Sequence, residues 1–113
     1  MRTTVSNWNH YPVKDTELTY WRGESIADHT ESWIARGMGR CYGDASLSDH
    51  ILSTLKHNHI LDIASEAGAV CCQSGVTLQD LLEVFVPKGW FLPVTPGTKF
   101  ITVGGALASD IHG

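Results

Sequence analysis

Three glycines within seven residues constrain this chain more than any other feature of its sequence. Gly37, Gly39 and Gly43 follow the short apolar run Trp33-Ile34-Ala35. Glycine adopts positive φ without a Cβ clash, so such a segment can turn successive backbone N–H groups into one concave surface that suits a phosphate. A tight turn between two strands has the same composition, and these residues alone leave both interpretations open.

Two arginines flank this glycine-rich segment. Arg36 and Arg40 can each donate charge-assisted hydrogen bonds to a pyrophosphate, whereas in a simple turn they would be exposed surface cations. The run at 33–35 predicts a buried strand that leads into the loop.

A second group of small residues lies near the end of the sequence, where Val103-Gly104-Gly105-Ala106 stands at the start of a predicted helix. Each glycine costs a helix roughly 1 kcal/mol relative to alanine, so close approach of another group to the backbone is expected. Free amides and the positive end of a helix dipole would receive a phosphate there. Tight packing of the helix on a sheet is the alternative. The preceding Thr95-Pro96-Gly97-Thr98 is typical of a turn and could form a second ligand loop.

Two familiar nucleotide-binding motifs are excluded. The dinucleotide-binding turn G-x-G-x-x-G must open a helix directly after a strand, but Tyr42 occupies the place of its third glycine. Residues 44–49 also lack the apolar period of an amphipathic helix. No glycine precedes Lys-Ser or Lys-Thr in the frame that a P-loop requires.

Composition limits the function classes further. A chain of 113 residues with 42% hydrophobic residues predicts one globular domain with a core. The net charge of -4, from 8 Lys+Arg against 12 Asp+Glu, makes nucleic acid an unexpected partner. No apolar run reaches the roughly 18 residues of a transmembrane helix, and the polar start lacks a secretory signal, so we expect a cytoplasmic protein.

The cysteines and histidines predict neither a disulfide framework nor a metal site. Cys71 and Cys72 are adjacent, the total of three is odd, and no CxxC spacing occurs, so we expect the cysteines to be small buried hydrophobes. His57 and His59 would share one face of a strand, but no third ligand lies nearby in sequence.

Local patterns predict several further elements. Residues 5–13 suit an extended arm anchored by Trp8 and Tyr11, and residues 18–22 suit a strand or a continuation of that arm. A helical turn is predicted at 25–32, with Ser25 as N-cap and Asp28 three residues on. A strand is predicted at 51–55, and a hairpin is predicted from 60–65 with 69–73. A helix is predicted from Leu78 to about Val86, capped by Thr77 and ended by Pro87 and Gly89.

Taken together, the segments at 36–45, 95–98 and 102–113 resemble the FAD-binding domain of FAD-linked oxidases of the vanillyl-alcohol-oxidase and para-cresol-methylhydroxylase type. The resemblance extends from Trp8 to Gly113. It implies an α+β fold made of two subdomains, with residues 1–113 forming the first and the beginning of the second. The substrate domain of such proteins would lie outside this chain, which we therefore expect to be a fragment or a truncated product.

The resemblance also implies which residues contact FAD. Arg36 to Tyr42 would surround the pyrophosphate and flavin, 96–98 would form a loop on the phosphate side, and His112 would lie near the flavin ring. The full set is Arg36, Gly37, Met38, Gly39, Arg40, Cys41, Tyr42, Gly43, Pro96, Gly97, Thr98, Val103, Gly104, Gly105, Ala106, Ser109 and His112. Many relatives attach flavin through a histidine in the first loop. Arg40 stands at that place here, which predicts noncovalent FAD.

Two classes of function follow. One is the cofactor-binding part of a flavoprotein oxidoreductase that oxidises a hydroxyl carbon of an alcohol or sugar-like small molecule. The other is a non-catalytic remnant or interaction domain that keeps the fold without useful FAD affinity.

Overall fold

A computed structural model describes residues 1–26 and 31–112 of the chain. Its larger sheet has four strands in the order β1-β2-β4-β3. The strands are β1 (Arg2–Ser6), β2 (Val13–Tyr20), β3 (Ile34–Arg36) and β4 (His50–Ser53). Strand β1 is antiparallel to β2, whereas β2 and β3 both run parallel to β4. The sheet is therefore mixed, and β3, which leads into the glycine-rich segment, lies at its edge.

The second part of the fold combines a hairpin with two short helices. Strands β5 (Ile60–Ala64) and β6 (Ala69–Cys72) form an antiparallel two-stranded sheet, as the sequence predicts. They are followed by α1 (Leu78–Phe85), a 3-10 turn (Val86–Lys88) and α2 (Val103–Ala108). Short mixed strands with two helices confirm the predicted α+β class.

Helix α1 forms where the sequence places it because its cap and its apolar stripe are both local. The Asp80 amide donates to Thr77 Oγ1 over 3.1 Å, and the Thr77 amide donates back to Asp80 Oδ2 over 3.0 Å. Gly89 closes the following turn at φ +86°. Leu78 and Leu81 bury the stripe against Val76, with partly buried Ile60, Cys72, Phe85, Leu92, Ile101 and Val103 around them.

Two expectations for the first third of the chain are wrong. Trp8 and Tyr11 do not anchor the N-terminal arm, because 56% and 76% of their surfaces are exposed. The run before the glycine-rich segment is not a buried strand either: Ala35 is exposed and Ile34 is half-buried, because β3 is an edge strand with only β4 beside it. The strand expected at 18–22 is present in its first three residues, which form the end of the longer β2.

The remaining differences concern single residues. The cysteines are not fully buried: Cys71 is exposed, and Cys41 and Cys72 are half-buried. Cys71 and Cys72 lie in a sheet of only two strands, and Cys41 lies in the glycine-rich segment outside any strand. Gly97 lies in a bend but does not use positive φ. Half of the helical turn expected at 25–32, residues 27–30, lies outside the described residues. None of the helices within 1–26 and 31–112 has the length and apolar character that crossing a bilayer requires.

Candidate cofactor-binding cleft

The two small-residue segments of the sequence form opposite walls of one cleft of about 390 Å³. One wall is the glycine loop, defined as residues 37–46, together with the end of β3. The other is the α2 segment, defined as residues 101–109. The lining residues are Ile34, Ala35, Gly37, Met38, Gly39, Arg40, Cys41, Ala45, Ser46, Ile101, Thr102, Gly105, Ala108 and Ser109. The volume falls within the range of about 300–1,000 Å³ that is typical of small-molecule sites.

The walls meet where Gly37 contacts Thr102. A Cβ at Gly37 would overlap Thr102 Oγ1 and would lie 2.9 Å from its Cγ2. Thr102 has little room to move, because it is 2% exposed and its Oγ1 accepts the Gly105 amide over 3.0 Å as the N-cap of α2. The absence of a side chain at position 37 therefore allows α2 to approach the loop.

The backbone of the glycine loop has the curvature that the sequence predicts. Gly39 and Gly43 adopt φ of +68° and +60°, and Ser46 adopts +54°. The backbone amides of Met38 and Arg40, like that of Gly39, have no acceptor among the described residues. Consecutive amides in such a turn can converge on an anion.

Arg36 supports the loop from within the protein. Its Nη2 donates to the Ser6 carbonyl over 2.7 Å, and its Nη1 donates to Asn7 Oδ1 over 2.6 Å and to Ser46 Oγ over 3.3 Å. Burial lowers the pKa of the guanidinium, although arginine side chains stay protonated at neutral pH. The charge of Arg36 is therefore directed towards the N-terminal strand, whereas the exposed Arg40 lines the cleft.

The first three amides of α2 are all used by the protein. Val103 donates to the Val76 carbonyl over 2.8 Å, and Gly104 donates to the Ser74 carbonyl over 3.0 Å. The Gly105 amide is capped by Thr102, as described above. The expectation that this helix offers free amides to a phosphate is therefore wrong, because strand-like contacts and the N-cap satisfy them first.

The structure divides the residues that the sequence assigns to the cofactor into two groups. Those that line the cleft are Gly37, Met38, Gly39, Arg40, Cys41, Gly105 and Ser109. Those that do not are Arg36, Tyr42, Gly43, Pro96, Gly97, Thr98, Val103, Gly104, Ala106 and His112. Of the second group, Tyr42 is 75% exposed, and the His112 ring lies 2.7 Å from the Asp110 carbonyl through Nδ1. The assignment of each residue to FAD stays a prediction.

Sequence reasoning missed several residues of the cleft and its support. Thr102 was detectable, since a threonine directly before a predicted helix is a typical N-cap. Ser46 and Ala108 carry no such signal. Asn7, which bonds Arg36, directly follows β1 and is 29 residues away in sequence, and nothing in the local pattern points to it.

A smaller cleft of about 160 Å³ lies between the β5–β6 hairpin and α1. Its walls are mainly apolar side chains, among them Leu82, Phe85, Trp90 and Phe91. It offers little to recognise a diphosphate. Within the described part of the chain, no three His, Cys, Asp or Glu side chains gather closely enough to hold a metal ion.

Comparison with known families defines the class of protein to which this cleft belongs. Residues 24–113 match the family described as FAD binding domain, and the chain belongs to that family. The match covers both walls of the cleft and confirms the resemblance to FAD-linked oxidases that the glycine-rich segments carry.

The individual relatives include oxidases and a dehydrogenase. The chain is 42% identical over 82 residues to decaprenylphosphoryl-beta-D-ribose oxidase of Mycolicibacterium smegmatis. This match covers 71% of this chain and 18% of that protein. It is 41% identical over 63 residues to D-lactate dehydrogenase of Anaerostipes hadrus and 30% identical over 63 residues to L-gulonolactone oxidase 3 of Arabidopsis thaliana. Both matches cover 56% of this chain, and 13% and 11% of the respective relatives. The chain thus spans less than a fifth of the length of the relatives it matches.

Proposed function

We propose that the cleft between the glycine loop and the α2 segment holds FAD noncovalently, as part of an oxidoreductase that oxidises a hydroxyl carbon of an alcohol or sugar-like substrate. The observation that carries this proposal is the meeting of two small-residue segments, more than 50 residues apart in sequence, as the walls of one cleft. Their membership of the FAD-binding family supports the choice of ligand.

The residues of the cleft fit a dinucleotide in two ways. The amides of residues 38–40 and the guanidinium of Arg40 would bind the diphosphate, since backbone N–H groups and arginine both favour phosphate oxygens. On the opposite wall, Gly105, Ala108 and Ser109 are small enough to let a flat ring lie close to the backbone. When bound, FAD supplies the ability to accept a hydride, and the chain orients it.

Noncovalent binding is proposed because an arginine side chain does not form the flavin bond that a loop histidine forms in relatives. Denaturation of the FAD-loaded protein should therefore release all of the flavin. A fluorescent protein band after denaturing electrophoresis would contradict this.

The substrate class rests on the names of the relatives. Those names specify a decaprenylphosphoryl ribose, a D-lactate and an L-gulonolactone, each of which contains a hydroxyl-bearing carbon. We propose that the residues that contact the substrate lie outside the segment that this chain shares with these relatives.

The test is an NMR titration of the 113-residue chain with millimolar FAD, and in parallel with ADP as a probe of the diphosphate site. We expect weak binding, with shifts at the amides of Met38 to Arg40, Gly105 and Ser109 and none in the β5–β6 hairpin. Replacing Arg40 with alanine should weaken ADP binding about tenfold, which corresponds to about 1.4 kcal/mol. The matched control is R22A, which also removes one positive charge but at a position that does not line the cleft.

A folded chain that shows no shifts with FAD or ADP would refute the proposal. That result would favour the second candidate, a non-catalytic remnant of the fold. One observation already agrees with the second candidate: Arg36 and the α2 amides, which the sequence assigns to the ligand, are bonded within the protein.

A further inference from the structure

Four consecutive residues at the end of the first strand bond to the glycine loop or to Arg36, and we refer to residues 6–9 as the N-terminal clamp. The Trp8 amide donates to the Cys41 carbonyl over 3.0 Å. The Gly43 amide donates to Asn9 Oδ1 over 3.2 Å. The clamp therefore bonds two points in the middle of the loop, over a sequence separation of more than 30 residues.

Asn7 is the centre of the clamp. Its side-chain Nδ2 donates to the Gly43 carbonyl over 3.0 Å and also to the Ala45 carbonyl. Its Oδ1 accepts from Arg36 Nη1. Asn7 is only 3% exposed, so both ends of its amide are satisfied away from water. Removing a buried group of this kind leaves its partners unsatisfied, at a cost that usually exceeds the net value of one hydrogen bond.

Arg36 extends the same support to the cleft-facing side of the loop. Gly39 lies against its guanidinium, since a Cβ at position 39 would be 2.7 Å from Arg36 Cζ. The position of Gly39, whose amide lies between those of Met38 and Arg40, thus depends on the Arg36 side chain. Asn7 and the Ser6 carbonyl fix that side chain in turn.

The clamp lies outside the part of the chain that matches the FAD-binding family, which begins at residue 24. We propose, on the basis of the FAD-binding function proposed above, that Asn7 is a positioning residue for the cofactor loop. Through Arg36, Gly43 and Ala45 it holds the amides of residues 38–40 in the geometry that receives the diphosphate. The end of the first strand and the residues that follow it therefore help to shape the cofactor site.

The test compares N7A and N7D with the wild-type chain and with I51V. Asn7→Asp keeps an acceptor for Arg36 but loses both donors to the loop carbonyls, so it isolates the loop side of the clamp. Ile51 is 0% exposed in β4 and belongs to neither the clamp nor the cleft lining. Its truncation to valine lowers the free energy of unfolding without touching the loop, which makes it the control for a merely structural effect.

Two readouts are measured well below the melting temperature of every variant. The first is amide hydrogen exchange of Gly43 and Leu47, whose amides bond to Asn9 and to the Asp44 carbonyl. We expect exchange at these amides to accelerate about tenfold or more in N7A and N7D relative to hairpin amides such as Val70, but not in I51V. The second is the dissociation constant for FAD, which should rise about tenfold in both Asn7 variants and stay unchanged in I51V.

The outcomes separate the two proposals. Unchanged exchange at the loop in N7A overturns the clamp. Accelerated exchange with unchanged FAD affinity shows that the clamp orders the loop but does not position the cofactor, which also overturns the inference. If the wild-type chain does not bind FAD or ADP, both the proposed function and the cofactor role of Asn7 are refuted. The exchange data then still decide whether the clamp orders the loop.

Discussion

Replacing Gly37 with alanine tests why the loop carries a glycine at the point where the cleft walls meet. The added methyl would overlap Thr102 Oγ1 and approach Thr102 Cγ2 to 2.9 Å. Gly37 does not use positive φ, so the substitution adds volume without backbone strain. Either the two walls separate, or Thr102 rotates and gives up the cap on Gly105.

Both responses lower stability by a similar amount. Overpacking typically costs about 1–3 kcal/mol, and loss of an N-cap costs about 1 kcal/mol. An unfolding entropy of about 2.1 cal/mol/K per residue means that each kcal/mol lowers the melting temperature of a chain of this size by about 4 °C. Gly37→Ala should therefore lower it by about 4–13 °C in the absence of any ligand.

The assay is thermal unfolding of the ligand-free chain, with Gly97→Ala as the matched control. A Cβ at Gly97 meets nothing within 4 Å, and the residue does not use positive φ, so alanine there should be neutral or slightly stabilising. Thr102→Ala removes the overlapping atoms and allows a double-mutant cycle. The loss of stability in the double variant should be smaller than the sum of the two single losses by about 1 kcal/mol or more. An unchanged melting temperature for Gly37→Ala with lost FAD binding would refute this reasoning and would assign Gly37 to the cofactor. An additive cycle would also refute it.

Two further predictions concern parts of the chain away from the cleft. Thr77→Ala removes half of the capping box of α1 and should lower the free energy of unfolding in urea by about 1 kcal/mol, whereas Glu83→Ala on the exposed face of the same helix should change it little. An equal loss in both variants would show that the cap does not stabilise α1. Burial raises the pKa of the Cys72 thiol, so less of it is thiolate at a given pH, and iodoacetamide should modify it more slowly than the exposed Cys71. Peptide mass spectrometry would contradict this by finding equal rates.

The elements that sequence predicts correctly are those whose determinants are local. The hairpin β5–β6 follows from two apolar runs around Gly68, which adopts φ +64° in its loop. Helix α1 follows from an apolar stripe and a cap within nine residues. The family can also be recognised from local sequence, because the resemblance rests on short glycine-rich segments that are identifiable without knowledge of their contacts.

The features that sequence misses depend on contacts between distant residues. Strand β2 pairs in parallel with β4, and that pairing leaves β3 at the edge, so the exposure of Ala35 is set by a neighbour 17 positions later in the chain. The role of Asn7 has the same origin, because its partners at Gly43 and Ala45 are 36 and 38 positions away. A local pattern carries no information on either.

The glycines show most clearly where reasoning from sequence ends. A glycine indicates that some group lies close to the backbone or that φ is positive, but it does not identify the group. In this fold a Cβ at Gly37 would meet Thr102, one at Gly39 would meet Arg36, and one at Gly104 would lie 3.1 Å from Ser74 Cβ. Helix propensity alone would make Gly104→Ala a mild substitution. Because of the contact with Ser74, its effect would report on packing as much as on ligand binding. The internal neighbours suffice to explain these three glycines, so the case for FAD in this cleft rests on the amides of residues 38–40, on Arg40 and on the family match.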